Sequence, residues 1–419
     1  MMTSGRMVET SATALRLDGY GLVLSHATVP VRSYCMEWSA EMLKESALLT
    51  LEICQKGLEH GAILQDAYPW NVLWNGTTPV FVDVGSLRPV EEEGQFIWSA
   101  YQQFCNFFLF PLYLYAAGLH EVVRPLLQDY LRGISFATCS ALLSGGYKLT
   151  HPQTWTRLEL PRRVSSLAQK LELDKKMQKT THPPERLAAM RSGFFKGLVR
   201  DVSKIRLPKP TTTWVNYYED WPSWDDSSNW HQKHRALADL LDEHRPNTVV
   251  DLACNEGWYA MLAAHRGSRV VAIDFDEGCV TRLYDRASQQ RLDVLPLVMN
   301  LLNPTPAFGW KLVQFPSALA RIQGEMVFAL ALIHHLVLTN WQSFERVVEL
   351  LECFTTRWLV LEFVPLDDEK SQVLLSHFQR ESFDWYTLEN LQSVVSRYFS
   401  AQRLLESHPA GRTLILCEK

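Results

Sequence analysis

From residue 247 onward the chain repeats one pattern: a short run of consecutive apolar, β-branched residues, then a stretch whose apolar positions recur every three or four residues. NTVVDLA (247–253), RVVAIDF (269–275), VLPLVMNL (294–301), MVFALALI (326–333) and WLVLEFV (358–364) read as buried strands. WYAMLAAHR, GCVTRLYDRASQQ, FERVVELLECF and LENLQSVVSRYF read as helices between or after them. Alternation of this kind predicts an α/β, doubly wound, mostly parallel sheet with helices on both faces and its ligands at the carboxyl ends of the strands. SAQRLLES and RTLILCEK, separated by HPAG, predict a closing antiparallel hairpin and so a seventh strand.

Upstream the pattern changes twice. Residues 1–155 are aromatic and apolar, with one long helical pattern, SAEMLKESALLTLEICQKGLEHG, and a greasy run from Phe104, FCNFFLFPLYLYAAGL. That run is too short for the roughly 20 residues of a membrane span and contains Pro111, so it is expected to be a buried helix. Residues 156–210 are charged, with 13 Lys or Arg against 4 Asp or Glu between 161 and 210, and are punctuated by HPP and PKP. They read as a basic linker, either a solvated connector or a docking surface for an anion. The domain scheme is therefore 1–155, a mainly helical domain; 156–210, linker; 211–419, the α/β domain.

At 419 residues and 47% hydrophobic the chain is long enough for two cores. A net charge of −5 gives no global attraction to nucleic acid, and no nucleic-acid partner is expected. Eight cysteines stand singly, without a CxxC pair or clustered histidines, so no metal site or disulfide framework is signalled and a cytoplasmic location is expected. The amino terminus lacks the apolar core of a signal peptide.

The carboxyl ends of the first two strands carry the chemistry. VVDLACNEGWYAML places Asp251 at one tip and VVAIDFDE places Asp274 at the next, with a single glycine, Gly257, between them. The G-x-G-x-x-G turn of a dinucleotide site is missing. One glycine and two acids suit a cationic nucleoside without a diphosphate, and S-adenosylmethionine is the expected cofactor. Asp274 would accept from both ribose hydroxyls, and Asp251 would orient the turn and the methionine ammonium. Gly257 would allow close backbone approach, and Asn255 tolerates a left-handed turn. Asn300, after the third strand, lies where an adenine contact is expected.

These residues resemble class I S-adenosylmethionine-dependent methyltransferases, across about 211–419. In that family the first turn usually holds three glycines, and Ala253 and Asn255 stand in two of those places; the acid often found after the third strand is Asn300. The resemblance implies a seven-stranded methyltransferase sheet and methyl transfer by in-line displacement, in which the protein aligns the acceptor and removes a proton. His334 and His335, ending MVFALALIHH, are the candidate bases, with backbone capping of the strand as the alternative. The N-P-P-Y signature of amine and amide methylation is absent. Trp214, Tyr217 and Tyr218, upstream of the first strand, form either a lid or part of the core. Glu362 faces the acceptor or makes a structural salt bridge.

In the first zone Asp66 and Asn71 stand five apart, and Asp83 opens a D-V-G triplet. That spacing resembles the catalytic Asp, the Asn and the D-x-G of kinases and small-molecule phosphotransferases. About 35 residues precede the expected hinge near TVPVRSYCMEW, too few for a nucleotide-covering lobe and without a glycine-rich loop, so the resemblance implies a kinase carboxyl-terminal lobe that has lost catalysis. Along the chain QDAYPWNVLW, VFVDVGSL, YQQFCNFFLFPL, NPTPAFGW, ALALIHHL, LEFVPLDD and GRTLIL resemble a bacterial methyltransferase-like family that includes a rhizobial host-specificity nodulation protein. This resemblance implies a small-molecule or glycan acceptor, such as a lipochitooligosaccharide signal. A non-catalytic scaffold keeping both folds is the competing expectation, and a phosphotransferase is the third.

Overall fold

The computed structural model describes residues 5–92, 98–159, 183–218, 221–376 and 380–419. The chain divides into two compact units at about residue 210.

In the first unit, β1 (Thr10–Ala12) pairs antiparallel with β2 (Leu24–His26). Helix α1 (Ala40–Glu59) starts where the Ser39 hydroxyl accepts the Met42 N–H and ends ahead of Gly61, which has positive φ. Three short pieces follow, β3 (Ala62–Leu64), β4 (Val72–Asn75) and β5 (Thr78–Phe81), and β6 (Leu87–Pro89) returns to pair with β3. Residues 101–116 are helical, with a π turn at Cys105–Leu109. Phe104, Phe108, Leu112 and Tyr115 are all buried, because a helix apolar on every side is covered on every side. Among the described residues no helix is long and apolar enough to cross a membrane.

The stretch read as a linker is corrected in its second half. Helix α2 (Pro184–Ser203) belongs to the first unit, with Phe195, Leu198 and Val202 buried and an Arg157–Asp201 ion pair at 2.8 Å. Each of those apolar side chains contributes about 1.5–3 kcal/mol. Arg186, Lys196 and Arg200 form the exposed face of a packed amphipathic helix, while Arg191 is buried on its other side. Residues 160–182, the rest of that linker, lie outside the described residues.

The second unit is built on one seven-stranded sheet. Its strands are β7 (Thr248–Leu252), β8 (Arg269–Asp274), β9 (Val294–Val298), β10 (Gly324–Ala329), β11 (Thr355–Phe363), β12 (Ala401–Glu406) and β13 (Thr413–Glu418), in the order β12-β13-β11-β10-β7-β8-β9. Strands β7 to β11 are parallel; β13 runs antiparallel between β11 and β12. This is the expected sheet with its carboxyl-terminal hairpin. From β7 the chain steps outward to β8 and β9, then returns to the other side of β7 for β10 and β11. A crevice therefore opens outside the carboxyl ends of β7 and β10.

Helices α3 (Gln232–His244), α4 (Trp258–His265), α5 (Glu277–Gln290), α6 (Phe344–Phe354) and α7 (Leu388–Val395) accompany the sheet. Asp276 caps α5 by accepting from the Gly278 and Cys279 N–H groups, and Arg291 closes it in a left-handed conformation. Two boundaries differ from expectation. MVFALALI stops being strand at Ala329, since Ala331 takes φ +47° and turns the chain into the helical turn bearing the two histidines. Strand β11 begins at Thr355, directly after α6, without a loop.

Candidate active site

Asp251 sits one residue before the end of β7, opposite Phe328 of β10 and Ala272 of β8. Its side chain is buried and its Oδ2 has no hydrogen-bond partner. Burial, then the neighbouring Asp274, push its carboxyl up to about 8, against Lys233 and the Ala260 backbone, which lower it. It lines a cavity of about 200 Å³ together with Tyr218, Trp221 and Tyr259. A buried, unpartnered carboxyl ringed by aromatic faces is a site for a cation.

The turn after β7 is held by its own backbone. Ala253, Asn255 and Gly257 all have positive φ. A Cβ on Gly257 would stand 2.4 Å from Leu283 of α5, so packing of α5 against the turn accounts for the glycine. Asn255 donates its backbone N–H to Asp274 Oδ2 at 2.7 Å and its side-chain amide to the Trp214 carbonyl at 3.1 Å. It is thus a brace between the turn and the preceding segment.

Asp274 ends β8 and is buried; its Oδ1 accepts from the Asp276 N–H at 2.9 Å. Burial pushes its carboxyl up to about 6, opposed by these backbone donors. One lone pair on each oxygen is therefore spent inside the protein. Asn300 is exposed, and its Oδ1 accepts from the Leu302 N–H at 2.9 Å, as in a local turn. Asp274, Asn255, Gly257 and Asn300 do not line the cavity that Asp251 lines.

The aromatic segment before β7 reaches this cavity. Tyr217, Tyr218 and Trp221 line it together, and the Tyr218 and Trp221 rings meet at a tilt with their centres 4.2 Å apart. The Trp258 indole N–H donates to the Pro222 carbonyl at 2.8 Å, and the Asn216 N–H to Glu256 at 2.7 Å. Glu256 is buried and held by Arg286 at 2.6 Å. These bonds pin the strap to the turn it covers. Trp214 stands apart from the cavity wall and meets the His335 ring edge-on at 5.5 Å.

Neither histidine lines the cavity. His334 is buried, with Nδ1 unpartnered, and burial followed by the cations around it lowers it to about 2. Such a ring stays neutral and is a weak proton acceptor. His335 is less buried and is also lowered, by burial first and then Arg412.

Three residues, Lys233, Asp368 and Arg412, escaped sequence reasoning. Lys233 of α3 and Glu362 of β11 form a buried pair at 2.6 Å, and Glu362 also accepts from the Ala331 N–H at 2.9 Å and the Ser407 hydroxyl at 2.5 Å. Glu362 is accordingly structural. Arg412 and Asp368 form a bidentate pair at 2.8 and 3.0 Å. Lys233 follows the aromatic strap in WHQKH, and GRTL precedes the last strand, but no local pattern announces their partners.

In the first unit Asp66, Asn71 and Asp83 come together. The Asn71 amide donates to Asp66 at 2.5 Å, and burial followed by the Asp83 charge raises Asp66. Among the described residues no cluster of His, Cys, Asp or Glu has the makings of a metal site.

No protein-family model matches the chain. Over 409 residues, 95% of this chain and 83% of the relative, it is 27% identical to nodulation protein NoeA of Rhizobium meliloti strain 1021. The chain is similar to NoeA along nearly its whole length. Among solved structures, the magnesium protoporphyrin IX methyltransferase ChlM of Synechocystis PCC 6803, with SAM bound, is 14% identical at a TM-score of 0.30, over 44% of this chain and 76% of that one. The bifunctional kinase-methyltransferase WbdD is 18% identical at a TM-score of 0.34, over 52% of this chain and 44% of that one. The match to WbdD thus spans less than half of that protein's length. The strand order is what identifies the fold of the second unit.

Proposed function

We propose that residues 211–419 bind S-adenosylmethionine and transfer its methyl group to a hydroxyl of a small-molecule or glycan acceptor. The observation that carries this reading is the Asp251 carboxyl, buried at a strand tip with an oxygen unpartnered and facing an aromatic-walled cavity. The residues present suit the cofactor: a carboxyl for its ammonium, ring faces for its cationic sulfur, and the free lone pairs of Asp274 for ribose hydroxyls. When bound, it supplies a methyl group on a sulfonium sulfur.

The protein's part is to bind, orient and keep the site dry. At about 200 Å³ the cavity is smaller than the roughly 300–1,000 Å³ of ligand pockets, so admission requires the strap of Tyr217, Tyr218 and Trp221 to swing out. Its return excludes water from the reacting atoms. Neither His334 nor His335 is assigned as proton acceptor, since neither lines the cavity. Similarity to a nodulation protein favours a sugar of a lipochitooligosaccharide signal as acceptor.

Equilibrium binding of radiolabelled S-adenosylmethionine tests the reading. Binding that Asp251→Asn weakens at least tenfold is expected; a folded protein that binds none overturns it. The contact between Asp66 and Asn71, beside Asp83, favours a second reading in which the first unit is a kinase-like lobe. ATP-dependent labelling abolished by Asp83→Ala would make that lobe an active phosphotransferase; we expect none.

A further inference from the structure

We infer that the methyl acceptor carries an anionic group, which Lys370 and Arg412 hold at the lining of this cavity. This deepens the methyltransferase reading and rests on it. Both side chains line the same cavity as Asp251. Asp368 places them together: it accepts from Arg412 Nε and Nη2 at 2.8 and 3.0 Å, and from the Lys370 backbone N–H at 2.9 Å. The guanidinium is thereby fixed and largely buried, with Nη1 left over as a donor. Among the described residues the Lys370 ammonium has no ion-pair partner.

Charge balance around the cavity leads to the same ligand. Three fixed cations line it, Lys233, Lys370 and Arg412. Glu362 is spent on Lys233, the Ala331 N–H and the Ser407 hydroxyl, and Asp368 on Arg412 and the Lys370 backbone. Asp251 belongs to the cofactor. One positive charge remains, that of Lys370, an exposed side chain on the cavity lining. An acceptor bearing a carboxylate or a phosphate neutralises it and gains the oriented donors of a preorganised arginine. A neutral acceptor leaves Lys370 and the Arg412 Nη1 without a role.

Titration calorimetry on the full chain, saturated with S-adenosylhomocysteine, tests this with three probes: glucose, glucuronate and glucose 6-phosphate. They share a ring and differ at one carbon, so charge is the variable, and the two acids distinguish carboxylate from phosphate. We expect at least one acid to bind tenfold or more tighter than glucose. Lys370→Gln should weaken that acid about tenfold while changing S-adenosylhomocysteine affinity less than twofold. Equal binding of all three probes, or an acid unaffected by Lys370→Gln, overturns the inference and leaves the methyltransferase reading standing. If Lys370→Gln weakens S-adenosylhomocysteine instead, the methionine carboxylate is the anion and the inference is wrong. A folded protein that fails to bind S-adenosylhomocysteine overturns both.

Discussion

Cofactor binding at pH 7 should expel nearly one proton, and Asp251 should be its source. In the free protein burial and the adjacent Asp274 push the Asp251 carboxyl up to about 8. At pH 7 about nine in ten copies therefore carry the proton. A sulfonium with an ammonium binds the carboxylate, so occupancy drives the carboxyl to ionise. Asp274, pushed to about 6, is already about nine-tenths ionised at that pH and adds about 0.1 proton. Titration calorimetry in two buffers of different ionisation enthalpy reads the number directly. It should be about 0.9–1.0 at pH 7, fade as the pH passes 8, and drop to about 0.1 in Asp251→Asn, whatever affinity that variant retains. Release near zero in the unsubstituted protein refutes the reasoning, because Asp251 would then be ionised before the cation arrives or untouched by it.

The same carboxyl sets a stability profile. Its folded pKa lies above the ordinary carboxyl value of 3.8, so its proton stabilises the fold fully below pH 4 and that stabilisation is lost as pH rises through about 8. Relative to the unsubstituted protein, Asp251→Asn should gain stability by up to about 1.4 kcal/mol per pH unit between pH 5 and 8; thermal melts at several pH values check this. Gly257→Ala places a methyl against Leu283 at a left-handed φ and should cost about 1–3 kcal/mol in denaturant titrations. Adding Leu283→Ala should relieve the clash but not the backbone strain, giving a measurable positive coupling. Lys233→Met strands Glu362 in the core without a counter-ion and should cost about 3–5 kcal/mol, most of it recovered by Lys233→Met with Glu362→Gln.

The sheet was legible because its strands are buried on both faces and read as unbroken apolar runs. VVDL, VVAID and VLPLV leave little choice of register, and the acids that end the first two are where the chain order places them. Boundaries failed where a single backbone angle decides them, as at Ala331, since a left-handed alanine leaves no mark in a hydrophobic pattern. The linker reading failed because cations on an amphipathic helix and cations on a free connector have the same composition; only the burial of Phe195, Leu198 and Val202 separates them. At the site, Asp251 announced itself by position, whereas Lys233, Asp368 and Arg412 meet their partners across 44 to 129 residues. Such pairs follow from topology and have no local signature. Asn255 takes the left-handed turn expected of it, and Gly257 also answers to the packing of Leu283, which no local pattern announces.

The placement of β13 has a consequence for synthesis. It is the last strand in chain order yet lies inside the sheet, so β12 has no partner until residues 413–418 have left the ribosome. The parallel core of β7 to β11 can assemble earlier, with one flank of β11 open and waiting. A nascent chain paused near residue 400 would expose that flank to any neighbouring strand, and crowded polysomes are where this unit is most at risk of mispairing.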